Sequence, residues 1–267
     1  MIPTLKSEFK KLLTVRSTYI LSIAFLLLLS FLAFYVQGFK NVPLETLSPL
    51  DHAKASLFLA GTITQVANVV SIAGGLIGLL LLAHEYRYNT IVNTLSASNS
   101  RSKVLAAKII TVLVYVAIFT TIASLIALGL MRLGVAASGH TLINQDINYL
   151  TYVAKVIFLS EGFAMGGLLF AALIRNQVGA IAALFIVPNP VEGILSLLLK
   201  HNAVYLPFTA LQQVVQPPVI NRLLGSASRR VDTAGTLTAP KGALVFLAYL
   251  VVGWIIAWYL FLRRDAT

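Results

Sequence analysis

Long apolar runs separated by shorter polar stretches are the dominant pattern of this chain. Six runs are each close to 20 residues or longer, which is about the length that an α-helix needs to cross a bilayer. They cover residues 18–37, 62–83, 104–131, 150–173, 178–199 and 242–262. The runs are continuous, whereas the strands of a membrane β-barrel alternate over about ten residues. The pattern therefore predicts an all-α membrane protein with six transmembrane helices in one domain, residues 1–267.

A shorter amphipathic segment precedes the first run. Its apolar residues recur at helical spacing: Ile2, Leu5, Phe9, Leu12 and Leu13. Between them lie Lys6, Glu8, Lys10 and Lys11. This alternation predicts an N-terminal interfacial helix over residues 2–16 that lies in the headgroup plane. The other interpretation, that the segment extends the first span into water, stays open here.

Composition agrees with a membrane protein and removes several other classes. The chain is 58% hydrophobic and 11% charged, against roughly 25% charged residues in soluble domains. The net charge of +11 sits on the flanks of apolar spans, where it suits anionic lipid, so we expect no nucleic-acid partner. Cysteine is absent and the four histidines are scattered without metal-ligand spacing, so the sequence predicts no metal site.

The polar stretch between the second and third runs, residues 84–108, has helical order of its own. One face is apolar, with positions i, i+3, i+4 and i+7 occupied by Tyr88, Ile91, Val92 and Leu95. The other face is polar and carries Glu85, Asn89, Asn93 and Ser96. The pattern predicts a short helix across the membrane face within residues 84–103, on which a soluble partner could act. An amphipathic loop that rests on lipid without a partner is the alternative.

Prolines and carboxylates within the later runs mark a possible path for cargo. Pro190 lacks an N–H group and follows Pro188 in the fifth run, which predicts a kink or a short unwound segment. A charge at the bilayer centre costs at least about 2.5 kcal/mol, so Glu161 and Glu192 should face a cavity or a partner. Glu161, Asn189, Pro190 and Glu192 are therefore candidates for a translocation path or gate. Satisfied contacts within the bundle, or positions near the interface, are the alternatives.

The connection over residues 200–241 is too apolar to be a plain loop. Pro207 opens a stretch whose one face carries Phe208, Leu211, Val214 and Val215. Pro217 and Pro218 then end this stretch, and a second apolar group follows. We predict two short interfacial or re-entrant helices before the last span, followed by a loop.

The polar stretch also resembles a known motif. Glu85, Thr90, Leu95, Ser98, Arg101 and Lys108 follow a pattern similar to that of the permease subunits of type-2 ABC exporters (the ABC-2 transporter superfamily). There a glutamate, a Gly-Thr pair, a leucine, a Pro-x-Ser-Arg-like turn and a later lysine mark the coupling helix after span two. Asn89 stands where glycine is usual, and Ser98 near where proline is usual. The order of interfacial helix, six spans and short helices before the last span is similar too.

The resemblance implies a membrane-spanning permease subunit that forms a translocation path. Residues 84–103 would be a coupling helix region. The residues that would couple the permease to the ATPase are Glu85, Arg87, Thr90, Leu95, Ser98, Arg101 and Lys108. The implied partners are two copies of a cytosolic ABC ATPase subunit, which bind ATP and Mg, a second permease, identical or related, and membrane lipid. The cargo would be a peptide, antibiotic, lipid or drug.

The chain itself is not expected to be an enzyme or to bind a cofactor, because it has no Gly-x-x-x-x-Gly-Lys-Ser/Thr loop for nucleotide phosphates. The family's coupling helix faces the cytoplasm, which implies a multi-pass protein of the cell (plasma or inner) membrane with both termini cytoplasmic. In that orientation the cytoplasmic side carries eleven Lys and Arg residues and the other side nine, a bias in the same direction.

Two other functions stay open at this point. An ion-coupled secondary transporter or channel predicts internal repeats and charged residues near the midplane, and the two halves of the chain show no convincing repeat. An intramembrane enzyme needs a converging set of catalytic side chains, and the sequence shows none.

Overall fold

The structure is a computed structural model, and it describes residues 2–40, 49–96, 100–139, 148–215 and 237–263. For residues 2 and 49–63 the description covers the backbone. The described residues are helical, with no strand among them. The helices are α1 (Ile2–Thr14), α2 (Arg16–Phe31), α3 (Pro49–Arg87), α4 (Ile91–Ser96), α5 (Arg101–Ala137), α6 (Tyr149–Ile174), α7 (Gln177–Ile186), α8 (Glu192–Leu199), α9 (Pro207–Gln212) and α10 (Ala239–Arg263).

Among the described residues, six helical segments are long and apolar enough to cross a membrane, which confirms the predicted all-α, six-span class. They are Arg16–Lys40, Thr64–Arg87, Arg101–Ala137, Tyr149–Ile174, Gln177–Tyr205 and Ala239–Arg263. Span 1 combines α2 with a π-helical continuation, Leu32–Lys40, and span 5 combines α7, α8 and a 3₁₀ segment, Lys200–Tyr205. Helix α3 begins at Pro49, well before the second apolar run, because proline suits the first helical turn. The fold is that of a multi-pass membrane protein.

Spans 2 and 4 form the centre of the bundle through small residues. A methyl group added at Gly78 would collide with the carbonyl oxygen of Ala164, and one at Gly167 with that of Gly75. The α3 and α6 backbones therefore approach as closely as glycine permits, in the manner of small-residue contacts between membrane helices. These glycines are thus used for contacts within the chain.

A hydrogen-bonded chain ties a third helix to this pair. Thr120 on α5 donates to the Ser160 hydroxyl on α6 at 2.9 Å, and Ser160 donates to the Val70 carbonyl on α3 at 3.1 Å. Hydroxyl groups in such a setting satisfy one another across helices and hold their register. Within the apolar 18-residue stretch of each span, 72% of the residues of span 2 and 61% of those of span 4 are buried. The corresponding share is 17% in spans 1, 5 and 6. Spans 2 and 4 are thus the core, and spans 1, 5 and 6 present most of their surface outward.

The proline pair in span 5 produces a π-helical turn, Val187–Val191, within a continuous helical path. Of the two predicted outcomes, a kink or an unwound segment, the structure shows a local change of helical pitch without unwinding. The amide of Asn189 donates to the Phe185 carbonyl at 3.3 Å. A side-chain donor of this kind helps to satisfy the carbonyls that proline leaves without a partner. Such π turns recur at functional positions in helices.

We expect the close α3–α6 contact to be intolerant of a single methyl group. Gly78→Ala should lower the stability of the purified protein in detergent by roughly 1–3 kcal/mol, the usual cost of overpacking. Gly129→Ala on α5 is the matched control, since nothing lies within 4 Å of its added methyl and alanine favours a helix. Thermal unfolding of both variants measures the difference. Equal melting temperatures would contradict the close approach.

Candidate functional site

Helix α1 is separate from span 1 and folds back over the ends of other helices. The helix breaks at Val15, which is extended with ψ of 117° and precedes α2. On one face of α1, Glu8 and Leu12 are 1% and 2% exposed, and α1 packs mainly against α5. On the other side, Leu13 is 63% exposed. Helix α1 is therefore an amphipathic element docked at one end of the bundle.

Four charged side chains meet beneath α1, and we call them the charge ring: Glu8, Lys11, Glu85 and Lys108. Lys11 Nζ lies 2.7 Å from Glu8 Oε1 and 2.8 Å from Glu85 Oε1. Lys108 Nζ lies 2.7 Å from Glu8 Oε2 and 2.8 Å from Glu85 Oε1. Each lysine thus bridges both carboxylates. The ring joins α1 to the end of α3 and the start of α5.

Both ammonium groups of the ring have three close contacts. Lys11 takes the Thr94 hydroxyl of α4 as a third contact at 3.1 Å, and Lys108 takes the Leu81 carbonyl at 3.4 Å. Both oxygens of Glu8 are engaged as well. The exception is Glu85 Oε2, which is buried without a hydrogen-bond partner among the described residues.

The ring resolves what would otherwise be a costly arrangement. Lys108, Glu8 and Glu85 are 0%, 1% and 6% exposed, so each would be expensive as an isolated charge. Two carboxylates and two ammonium groups sum to zero charge, and the short contacts offset the loss of water. Removing one member of such a buried set costs about 3–5 kcal/mol, because the charge left behind has no counterpart. The docked position of α1 is therefore fixed by electrostatics.

The turn that follows α3 explains an unusual residue in the motif. Asn89 has φ of +53°, the left-handed region that glycine and asparagine adopt at least cost. The Thr90 amide donates to the Glu85 carbonyl at 3.0 Å and the Asn89 amide to the Tyr86 carbonyl at 3.4 Å. These two bonds form a Schellman motif that ends α3. An asparagine thus serves where the resembling family has glycine, because both tolerate this backbone.

Helix α4 follows at once, and its apolar face is divided. Ile91 is 3% exposed and Leu95 packs against the core, so these two side chains anchor α4. Tyr88 and Val92 are instead 63% and 49% exposed. The expectation that all four form one face is therefore corrected. The spacing was helical, but Tyr88 lies before α4 in the turn, and Val92 lies on the outer side of the helix.

The remaining residues of the motif lie around this helix. Thr90 precedes α4, and its carbonyl accepts from the Thr94 amide at 3.1 Å. Arg87 lies 3.4 Å from the Gln177 side-chain oxygen and 5.4 Å from the Tyr88 ring. Arg101 donates to the Leu262 carbonyl of α10 at 3.2 Å. Ser98 lies outside the described residues. The structure thus places Glu85 and Lys108 in the charge ring, with Thr94 in contact with it. Arg87 and Arg101 lie outside the ring.

Sequence reasoning did not single out Glu8 and Lys11 as members of this site. The signal was present in the periodicity, because Leu5, Glu8 and Leu12 share one face of a helix at spacings of three and four. A carboxylate inside an apolar stripe needs a partner. One partner of Glu8 is Lys11, three residues away on the same helix. The other is Lys108, 100 residues away, and this pairing could not be read from local spacing.

Glu192 has a complete set of partners at the other end of the bundle. One carboxylate oxygen accepts from the Phe208 amide at 2.8 Å, and the other accepts from the Thr209 amide and hydroxyl at 2.7 Å each. These amides form the open N-terminus of α9, so a carboxylate from another helix caps it. Glu192 therefore fixes α9 against span 5. Of the two short helices predicted here, α9 is described, and the second lies outside the described residues.

Glu161 contrasts with Glu192. It lies on α6 beside the backbone of Ala117 on α5, and both of its oxygens are buried without a hydrogen-bond partner among the described residues. Lys155, on the same helix, places its ammonium 5.7 Å from the Tyr152 ring. The roles of Glu161, Asn189, Pro190 and Glu192 in a path or gate stay predictions.

Within the described residues, no group of three His, Cys, Asp or Glu side chains could hold a metal ion. Comparison with known proteins gives no matching family model and no matching curated protein. The function must therefore be argued from the site itself.

The charge ring predicts that α1 undocks only in strongly alkaline solution. Burial works to lower the pKa of Lys11, but its hydrogen bonds to Glu8 and Glu85 and the charges of these carboxylates outweigh burial and raise it above 10.5. A raised pKa means that Lys11 stabilises the docked state fully below pH 10.5, and that this contribution is lost as the pH rises through the higher docked value. Spin labels on single cysteines at Thr14 and Lys103 would report the separation as the pH rises.

Lys11→Arg is the matched variant for this measurement. Its guanidinium keeps its charge through the same pH range, so the transition assigned to Lys11 should vanish. If the transition is unchanged in the arginine variant, another group controls the docking of α1.

We expect opposite effects from neutralising the two buried carboxylates of the spans. Glu192→Gln should lower stability by about 1.5–3 kcal/mol, because hydrogen bonds to a charged acceptor are lost. Glu161→Leu should raise stability by roughly 1–3 kcal/mol, because two unsatisfied buried oxygens are removed. Thermal unfolding in one detergent compares them. Destabilisation of both variants to a similar extent would show that Glu161 has a partner in solution.

Proposed function

We propose that the chain is the membrane-spanning permease subunit of an ATP-binding cassette exporter of the type-2 class. It would form the translocation path and couple that path to separate cytosolic ATPase subunits. The observation that carries the proposal is the link between α4 and the charge ring. Helix α4 is tied through Thr94 to Lys11 and Glu85, and these belong to α1 and to the end of span 2. The resemblance of residues 85–108 to the family's motif supports the same function.

In this proposal α4 and the turn before it are the coupling surface. Ile91 and Leu95 face inward, and Tyr88 and Val92 face outward. A soluble subunit that grips the exposed side would push on a helix rooted in the core. The ring would pass the displacement to α1, α3 and α5, because pulling one member out of it would leave a net charge among the buried members. Glu85 and Lys108 would thus act as transmitting residues beneath the contact surface, with Arg87, Thr90 and Arg101 around it.

The rest of the assembly follows from this assignment. Two ATPase subunits would bind ATP and Mg, and this chain would contribute no catalysis and hold no cofactor. A second permease, identical or related, would complete the path, since spans 1, 5 and 6 present most of their surface outward. Both termini and α4 would lie on the cytoplasmic side of the cell membrane. Helix α9 and the π turn with Asn189 and Pro190 would then lie toward the outer side, as re-entrant elements beside the path.

An ion-coupled secondary transporter is the second candidate, and Glu161 is the observation that favours it. A buried carboxylate without a partner within a span is a common feature of proton relays. The two functions differ in energy source. Purified chain in liposomes that moves solute on a proton gradient alone would favour the transporter, and Glu161→Gln should then abolish that movement.

The direct test of the permease proposal is purification of the tagged chain from its native membrane in mild detergent. We expect an ATPase subunit to copurify in near-stoichiometric amount. Val92→Asp should reduce its recovery by tenfold or more, since a charge at the centre of an apolar contact typically costs about 1.4 kcal/mol or more. Val92 is half exposed, so the variant should remain folded.

Leu150→Asp is the matched control, because Leu150 is 79% exposed but lies at the opposite end of the bundle. It should retain the ATPase subunit. In the same assay Glu85→Gln should keep the ATPase bound while ATP-driven transport is lost, because Glu85 lies beneath the contact surface. Copurification that survives Val92→Asp, or transport that survives Glu85→Gln, would contradict the assigned coupling surface.

A further inference from the structure

A groove opens beside the charge ring, between α1, the start of α2, the end of α3 and α4. Its volume is about 750 Å³, within the range of about 300–1,000 Å³ usual for small-molecule sites. Charged residues of the ring line one part of it, and Leu12, Val15, Leu80 and Leu81 line another. The groove is therefore amphipathic, with a polar end beside the ring and an apolar wall that continues along the spans.

The ring leaves one hydrogen-bonding position unused. Lys11 and Lys108 each have three close contacts, and both oxygens of Glu8 are engaged. Glu85 Oε2 has no partner among the described residues, although Glu85 is 6% exposed and lines the groove. The terminal torsion of a glutamate is soft, so binding of a donor would require a small rotation that turns this oxygen toward the groove. What Glu85 Oε2 lacks among the described residues is a hydrogen-bond donor.

The zero net charge of the ring limits which ligands could supply the donor. The four members sum to zero charge, so a net cation or net anion would leave an uncompensated charge in a buried place. A zwitterionic headgroup keeps the balance, and its ammonium can donate to Glu85 Oε2 if it carries N–H groups. Hydroxyls of Thr4, Ser7 and Thr90 line the same groove and can donate to a phosphate. The apolar wall then suits the beginning of an acyl chain.

We propose that this groove binds a membrane phospholipid whose zwitterionic headgroup carries a primary ammonium, and that the ammonium donates to Glu85 Oε2. The bound lipid would complete the hydrogen bonding of the charge ring and fill the space under α1. The site is defined by the ring and the groove alone, so it does not depend on whether the chain is a permease.

The test uses the full chain, delipidated in detergent and titrated with single lipids, with binding measured by native mass spectrometry. A series of dioleoyl lipids carries ethanolamine, N-methylethanolamine, N,N-dimethylethanolamine and choline headgroups on the same phosphate and tails. We expect affinity to fall along the series as N–H groups are lost. The ethanolamine lipid should bind roughly tenfold more tightly than the choline lipid, as loss of a charge-assisted hydrogen bond implies.

A groove variant locates the binding. Ser7→Trp, whose side chain would fill the groove, should abolish the headgroup preference, while Thr14→Trp on the outer side of α1 should retain it. Equal binding of ethanolamine and choline lipids by the unmodified chain would overturn the proposal without any variant. So would a preference that persists in folded Ser7→Trp. Equally tight binding of soluble glycerophosphoethanolamine would show a site for a free headgroup, and would overturn the assignment to a lipid.

Discussion

The charge ring of Glu8, Lys11, Glu85 and Lys108 is the constraint on which the arrangement of this end of the bundle depends. Isolated charges this deeply buried cost several kcal/mol each even after relaxation, by order of magnitude. Glu8, Glu85 and Lys108 are buried and Lys11 is partly exposed. The three buried charges depend on the whole set for their balance, and the four members come from three helices. The docked position of α1 therefore depends on the relative positions of the ends of α3 and α5, and these depend on α1. Neither can shift without opening a short ion pair.

The chain buries carboxylates in three ways, and the differences indicate what each position does. Glu8 and Glu85 are balanced by lysines and join helices. Glu192 is satisfied by the backbone and hydroxyl donors at the start of α9, so it fixes a short helix without a counter-charge. Glu161 has neither kind of partner among the described residues. The first two arrangements are explained by the fold alone, whereas within the described part of the chain the carboxylate of Glu161 has only the backbone of Ala117 beside it.

Local pattern was sufficient for the number of spans, because each span is long and strongly apolar. It also predicted a helix near α4 and an N-terminal amphipathic helix, since both have helical spacing of apolar residues. It did not predict that Tyr88 and Val92 face outward, because that depends on the left-handed turn at Asn89. Nor could it pair Glu8 with Lys108, since the two are 100 residues apart. The spans could be predicted from local apolar composition, whereas the site depends on contacts between residues that are distant in the chain.

The distribution of close contacts indicates how a displacement of α4 would spread in the proposed permease. The ring binds α4 to α1, α3 and α5. Glycine contacts then fix α3 to α6, and the Thr120–Ser160–Val70 hydrogen bonds fix both to α5. These helices should therefore move as one body. Span 5 is the contrasting part, since it is sparsely buried and contains a π turn with two prolines in place of a regular ladder. A push on α4 would thus be taken up where span 5 meets the core, and α9, held to span 5 by Glu192, would follow it. That places the compliant element at the far end from the charge ring, where an outward-opening path would need it.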